Sequence, residues 1–275
     1  RRKHAKRDSD SIHSNGMMYI VQSSELWEKE WGEHMHHGFY DPKSNISKTR
    51  LQAQIDMIEK TIDFAGIADI RTAVDVGCGI GGPMRNISKF LQSHVEGITL
   101  NPYQVERGNE LSNRDKNADC HAVQGDFMNL PFAANSFDAA YAIEATCHAP
   151  DRVQCYRQVY QVLKPGAHFA LYEWCMTDEY DPTNEEHLRL KKDIEVGNGL
   201  PDICNRQACL EAMQKAGFEI IREADLADVK NVQPWQTPLC PSWNPFTQRF
   251  QFNWLGGHLT NVTIWLLEKL WLAPK

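Results

Sequence analysis

Val74-Asp75-Val76-Gly77-Cys78-Gly79-Ile80-Gly81-Gly82 is the stretch on which the fold turns. Thr72 to Val76 reads as a short β-strand, and Pro83 sits in the first turn of a helix. Between them, glycine lets the backbone turn sharply and approach a ligand, because it tolerates positive φ and carries no Cβ. The helix behind the turn then aims unpaired N–H groups at whatever binds there. Working outward, strands are predicted at Val95–Leu100, Ala122–Gln124, Phe137–Ile143 and Ala167–Glu173. Helices are predicted from Pro102 to about Asn113 and over Arg152–Leu163, the second ended by Lys164-Pro165-Gly166. Strands alternating with such helices make an α/β fold with a mostly parallel sheet. Ligands of such sheets bind at the carboxyl ends of the strands.

A glycine turn of this kind can serve NAD, FAD or S-adenosylmethionine (SAM). Gly77, Gly79, Gly81 and Gly82 satisfy both the G-x-G-x-G and the G-x-G-x-x-G spacing. Asp75, two residues before the first glycine, favours SAM, whose ammonium a carboxylate can hold directly or through water. Packing alone is the competing reading of the turn. At the end of the second strand, where a carboxylate normally grips the ribose, stand Leu100 and Asn101. Asn101 can still hydrogen-bond a ribose, and Cys78 and Gln104 join it as expected cofactor contacts. Asp126 and Phe127 follow the third strand, suited to an adenine amine and an adenine ring; as a plain turn residue, Asp126 needs no ligand.

Composition narrows the classes. The 275 residues carry 29 Lys+Arg against 36 Asp+Glu, a net charge of −7, so nucleic acid is not an expected partner. At 42% hydrophobic and 24% charged, the chain is an ordinary globular one. No run of about 18 apolar residues is present to span a bilayer. The chain opens on Arg1-Arg2-Lys3 without Met, which predicts a segment upstream that could hold an anchor. Eight cysteines show no C-x-x-C pair and no zinc spacing, which predicts free thiols in a reducing compartment. His34, His36 and His37 also lack metal-ligand spacing, so no metal is expected and the stretch reads instead as part of a lid.

Three regions are predicted: a tail and lid over 1–46, the ligand-binding sheet over 47–178, and remaining strands with a substrate-binding region over 179–275. From Ser47 to Ala65, Leu51, Ile55, Ile58, Ile62 and Ala65 fall on one helical face. Helices are predicted at Glu185–Val196, Arg206–Lys215 and Leu259–Leu272, and a strand at Phe218–Glu223. Five of the eight tryptophans lie at 235, 243, 254, 265 and 271.

The longer strings resemble the sterol carbon-24 methyltransferases, which are class I SAM-dependent methyltransferases. Asp75 to Pro83 has that family's form of the glycine motif. Tyr141-Ala142-Ile143-Glu144-Ala145-Thr146-Cys147-His148-Ala149-Pro150, Tyr172-Glu173-Trp174-Cys175-Met176-Thr177-Asp178 and Gly197-Asn198-Gly199-Leu200-Pro201-Asp202-Ile203 are similar to it as well. So is the tail from Leu266 to Lys275. Trp31-Gly32-Glu33-His34-Met35-His36-His37-Gly38-Phe39-Tyr40 instead resembles the opening of tocopherol methyltransferases. The resemblance implies a Rossmann-like SAM-binding sheet with an N-terminal lid and a C-terminal sterol-methyltransferase-type extension. It implies a sterol or related isoprenoid lipid as acceptor, with a tocopherol-like phenol or a linear triterpene as the alternative. It further implies contact with a membrane surface, at the endoplasmic reticulum or another sterol-synthesising membrane, and is compatible with a homo-oligomer. Trp265 and Trp271 are expected to wall a sterol pocket or meet that membrane.

Methylating an alkene carbon leaves a carbocation that must be softened and then deprotonated. Aromatic faces do the first, each worth about 0.5–2 kcal/mol when well placed, and Trp31, Phe39, Tyr40, Tyr141, Tyr172 and Trp174 supply them. A carboxylate or histidine does the second. By resemblance and position, Glu144, His148 and Glu173 are the candidate bases, with Tyr40 as a fourth catalytic candidate. Glu144 equally suits orienting SAM, and His148 equally suits a helix start ahead of Pro150. Loss of the strand-two carboxylate leaves open a SAM fold that binds lipid without catalysis.

Overall fold

The structure, a computed structural model, describes residues 28–29, 31–40, 48–226 and 254–270. Five parallel strands form one sheet in the order β3-β2-β1-β4-β5: β1 (Thr72–Val76), β2 (His94–Thr99), β3 (Cys120–Gln124), β4 (Phe137–Ile143) and β5 (Leu163–Tyr172). The helices are α1 (Arg50–Ala65), α2 (Gly82–Leu91), α3 (Pro102–Arg114), α4 (Arg152–Val162), α5 (Glu185–Asn198), α6 (Arg206–Ala216) and α7 (Trp254–Lys269). The chain leaves β1 toward β2 and β3, then returns to the other side for β4 and β5. The crevice where the order reverses lies between the carboxyl ends of β1 and β4.

The central strands read as unbroken apolar runs because helices cover both faces. Val74, Val76, Ile98, Ala140 and Ala142 face one side with Val159 and Val162 of α4. Ala73, Val95, Ala139 and Tyr141 face the other with Ile58 and Ile62 of α1 and Met84 and Ile87 of α2. Each branched side chain so buried contributes about 1.5–3 kcal/mol. Asp138, at the start of β4, accepts from Arg71 N, Thr72 N and Lys164 Nζ, and these partners, Lys164 first, hold its carboxyl down to about 2.

The predicted strands are present with small shifts at their ends, and three expectations are corrected. β5 starts at Leu163: Phe137 pairs with Leu163 and Ala139 with His168, so Lys164-Pro165-Gly166 forms a bulge within the strand. The predicted strand at Phe218–Glu223 has no ladder among the described residues. Phe218 packs on Tyr160 and Phe169, while Ile221 is exposed. On α1, Ile58 and Ile62 are buried but Leu51 is exposed, because Ala53 and Gln54 take the inward positions to hold another segment.

The chain divides into two compact units, one of Arg1–Phe39 with Leu51–Ala224 and one of Tyr40–Arg50 with Asp225–Lys275. α5 and α6, beyond the boundary drawn at residue 178, belong with the first. In the second, α7 begins and ends a few residues earlier than predicted and exposes Leu255, Leu259, Val262, Trp265 and Leu266. Trp235, Trp243 and Trp271 lie outside the described residues. Among the described residues, no helix is long and apolar enough to cross a membrane.

Candidate active site

The glycine turn rounds the carboxyl end of β1. Gly77 has φ +90°, and a Cβ there would stand 2.4 Å from the Cβ of Ala145. Gly79 has φ +54° and would meet nothing within 4 Å. One glycine therefore admits the neighbouring strand end, and the other borders open space. α2 starts at Gly82 behind Gly81 with no side chain capping its first N–H groups, which leaves them for a polar ligand. Asp75 lies beneath the turn, 2% exposed, with Oδ2 lacking any hydrogen-bond partner. Burial pushes the Asp75 carboxyl up to about 7, against the Tyr141 hydroxyl beside it, which pulls it down.

Asn101 caps α3, its Oδ1 accepting from Tyr103 N at 3.0 Å. Gln104 accepts from Thr99 Oγ1 at 2.6 Å. Both are buried at the carboxyl end of β2. Asp126 closes a turn by accepting from Met128 N at 2.8 Å, and Phe127 packs into the core on two sides.

Glu144 follows β4 directly and holds φ +48°, a conformation a non-glycine residue adopts at a cost of about 1–2 kcal/mol. Three donors fix its carboxylate. His37 N reaches Oε1 at 2.8 Å, His37 Nδ1 lies 2.9 Å from Oε2, and Trp174 Nε1 reaches Oε2 at 2.7 Å. A carboxylate only accepts, so the His37 ring carries its proton on Nδ1. Burial pushes the Glu144 carboxyl up, but the hydrogen bonds from His37 and Trp174 and the nearby His36 outweigh it and hold the group below its ordinary range. The His37 ring stands edge-on to Trp31 at 5.1 Å and to Trp174 at 5.2 Å.

His37 arrives on a strap, residues 31–39, tied down at several points. Gln54 Nε2 donates to His34 O and His36 O at 2.6 and 2.8 Å, and Phe39 N donates to Ala53 O. Arg85 donates to Glu33 at 2.6 Å, and Arg107 grips Glu28 at 2.6 Å. A Cβ on Gly82 would strike Glu33 O at 2.1 Å, so the strap lies directly on the start of α2. His34 and His36 are buried; burial first, then neighbouring cations, pulls His34 down to about 3.

Glu173 follows β5 and accepts from Thr146 Oγ1 at 2.7 Å, Cys147 N at 2.8 Å and Trp174 N at 3.0 Å. It anchors the 3₁₀ turn Thr146–His148, while burial raises its carboxyl. His148 closes that turn with Nδ1 unpartnered, its ring lowered by burial against a hydrogen bond with the Gly199 backbone. Tyr40 is buried and belongs to the second unit. The structure thus sets Glu173 near Glu144, places His148 on the turn that Glu173 anchors, and adds His37, Trp174 and Gln54. His37 lies 107 residues from Glu144, a distance no motif spans. Gln54, a polar residue on the buried face of α1, is the sequence signal that something polar lies there.

These features fit a zwitterionic co-substrate: the buried Asp75 carboxyl for a cationic group, uncapped helix N–H groups for an anionic one, and open space over Gly79. Among the described residues, no group of three side chains is placed to hold a metal. Residues 74–171 match the methyltransferase domain family model. The chain is 45% identical to the cycloartenol-C-24-methyltransferase of Arabidopsis thaliana over 94% of its length and 75% of that protein's. It is 38% identical to the sterol 24-C-methyltransferase of Kluyveromyces lactis over 97% of its length and 72% of that protein's. The geranyl diphosphate C-methyltransferase of Streptomyces coelicolor, solved with S-adenosyl-L-homocysteine, shares the fold at TM-score 0.68 and 21% identity, covering 82% of this chain and 85% of that one. This chain belongs to the sterol C-24 methyltransferase family of class I SAM-dependent methyltransferases.

Proposed function

We propose that this protein transfers a methyl group from SAM to the Δ24 side-chain alkene of a sterol, forming a carbon–carbon bond through a carbocation. SAM supplies an electrophilic methyl on a sulfonium. The observation that carries the reading is Glu144, a buried carboxylate held in a strained backbone among Trp31, His37 and Trp174, at the strand end next to the glycine turn. The glycine turn and Asp75 hold SAM, with Asn101, Gln104 and Asp126 lining the adenosine side. Strap and aromatic rings hold the alkene in line with the methyl and exclude water. As the alkene π pair forms the new bond, the cation left on the side chain rests against ring faces and the Glu144 charge. Glu144 then accepts a proton from the carbon beside the cation, and that C–H pair closes a new double bond. A carboxylate held below its usual range is still base enough, because a carbocation is a very strong acid.

A membrane surface is the natural place to meet such a lipid, and the exposed Leu255, Leu259 and Trp265 of α7 suit it. Incubation with methyl-labelled SAM and a panel of Δ24 sterols, tocopherol-type phenols and linear triterpenes tests the reading. Label in a C-24 alkylated sterol is expected. Label only in a phenol or triterpene, or in no lipid, overturns it.

A further inference from the structure

Behind β5 lies a group of thiols that methyl transfer does not use. Cys175 follows Trp174, Cys204 precedes the cap of α6, and Cys209 lies on its first turns. Met176 N donates to Cys204 O at 2.8 Å, and Met176 pairs with Asn205 in a parallel bridge, which sets Cys175 and Cys204 side by side. Cys175 and Cys204 pack against the same buried group as Cys209, and the Tyr156 hydroxyl lies 3.3 Å from Cys209 Sγ. Cys175 and Cys204 are partly exposed, as is Cys120 on β3, whereas Cys78, Cys147, Cys155 and Cys209 are buried.

We infer that this cluster is an oxidation site, at which a hydroperoxide oxidises Cys204 and Cys175 closes a disulfide with it. Cys204 is the nucleophile for three reasons. It sits at the N-terminal end of α6, where the helix dipole favours a thiolate. The neighbouring Cys175 and Cys209 thiols, with Arg152 near, hold its thiol well below the ordinary cysteine range. Cys175, the sulfur next to it, is pushed up and stays protonated. In the first step the Cys204 sulfur attacks the peroxide: an S–O bond forms, the O–O bond breaks, and the departing oxygen takes a proton to leave as water or an alcohol. In the second, the Cys175 sulfur attacks Cys204: an S–S bond forms, the S–O bond breaks, and the hydroxide carries off the Cys175 proton as water. Two thiols lose two electrons, and one hydroperoxide gains them.

The site bears on the neighbouring chemistry. From Cys209, hydrogen bonds run through Tyr156 to Thr146 at 3.2 Å and on to Glu173 at 2.7 Å. Cys175 is also the next residue after Trp174, whose indole holds Glu144. A disulfide there would pull on both carboxylates.

The test treats the full chain with hydrogen peroxide at neutral pH, alkylates the remaining thiols and maps them by mass spectrometry. A Cys175–Cys204 disulfide peptide, reversed by dithiothreitol, is expected to form at least tenfold faster than any change at Cys78, Cys120, Cys147, Cys155 or Cys240. Cys175→Ser is expected to halt at the sulfenic acid and to yield a dimedone adduct on Cys204. Even thiol loss across all cysteines, first reaction elsewhere, or Cys175→Ser without an adduct overturns the inference. The wild-type map stands whether or not a variant folds.

Discussion

The two halves of the active-site crevice are built by different means. On the β1 side, nine consecutive residues shape a backbone turn, and what matters is where atoms are missing: no Cβ on Gly77 or Gly79, no cap on α2. On the β4–β5 side, side chains from positions 31–37, 144 and 173–174 converge through hydrogen bonds. One side is local in sequence and fails through sterics. The other is assembled across the fold and fails through lost partners.

The largest effect should separate two glycines of the same turn. Gly77→Ala puts a methyl 2.4 Å from the Ala145 methyl at positive φ, adding about 1–3 kcal/mol of overpacking to about 1–2 of backbone strain. A fall in melting temperature of many degrees and loss of SAM binding by calorimetry are expected. Gly79→Ala meets open space and should cost about 1 kcal/mol of stability, while SAM affinity drops tenfold or more. Wild-type SAM affinity in Gly79→Ala would show that the turn serves packing on both sides.

Across the crevice, Glu144→Gln should spare SAM affinity to within about threefold and cut turnover about 100-fold, the scale of a lost acid–base group. Glutamine offers one acceptor oxygen and turns an NH₂ toward donors, so it must forfeit the Trp174 or the His37 bond. Trp174→Phe keeps the carboxylate but removes a donor to its charged form. The carboxyl then rises, and the acid limb of the rate profile should move up by about one pH unit. Unchanged turnover in Glu144→Gln removes it from the chemistry.

Asp75 links the two kinds of failure. Its carboxyl, raised to about 7 by burial, favours folding in its neutral form. That contribution is whole below about pH 4, the unfolded range, and is lost as pH rises through about 7. SAM-free protein should therefore lose about 2–4 kcal/mol between pH 4 and 8 from this group, and Asp75→Asn should flatten the loss while weakening SAM at least tenfold. A stability profile unmoved by Asp75→Asn would mean that the carboxylate finds a partner without ligand.

What the sequence made legible follows the same division. Thr72–Val76, the glycine turn and Phe137–Ile143 were readable because apolar runs and glycines act locally. Glu144, Glu173 and His148 were readable as candidates from resemblance. Their partners were not: His34, His36 and His37 read as part of a lid without metal-ligand spacing, but nothing near His37 announces a carboxylate 107 residues away. Leu51 misled because the helix period cannot tell a core face from one where Gln54 carries two backbone carbonyls. Lys164-Pro165-Gly166 reads as an end to structure, yet β4 lends it a ladder on both sides of a bulge.

The smallest effect tests whether the strap is held by charge or by burial. Glu33 is half exposed, while its partner Arg85 is buried and also donates to Ile80 O at 2.9 Å. Glu33→Gln removes a charge that water largely screens, so the loss should be within about 1 kcal/mol, and salt should weaken the wild-type protein toward the variant. His37→Ala removes an edge-on ring between two tryptophans and a donor to a buried carboxylate, a loss of about 2–3 kcal/mol. Amide exchange over residues 31–39 reads both: a few-fold acceleration for Glu33→Gln against tenfold or more for His37→Ala. Equal acceleration would mean that the strap is clamped at its edge by ion pairs, and that the convergence of side chains on Glu144 is a consequence of that clamp rather than its cause.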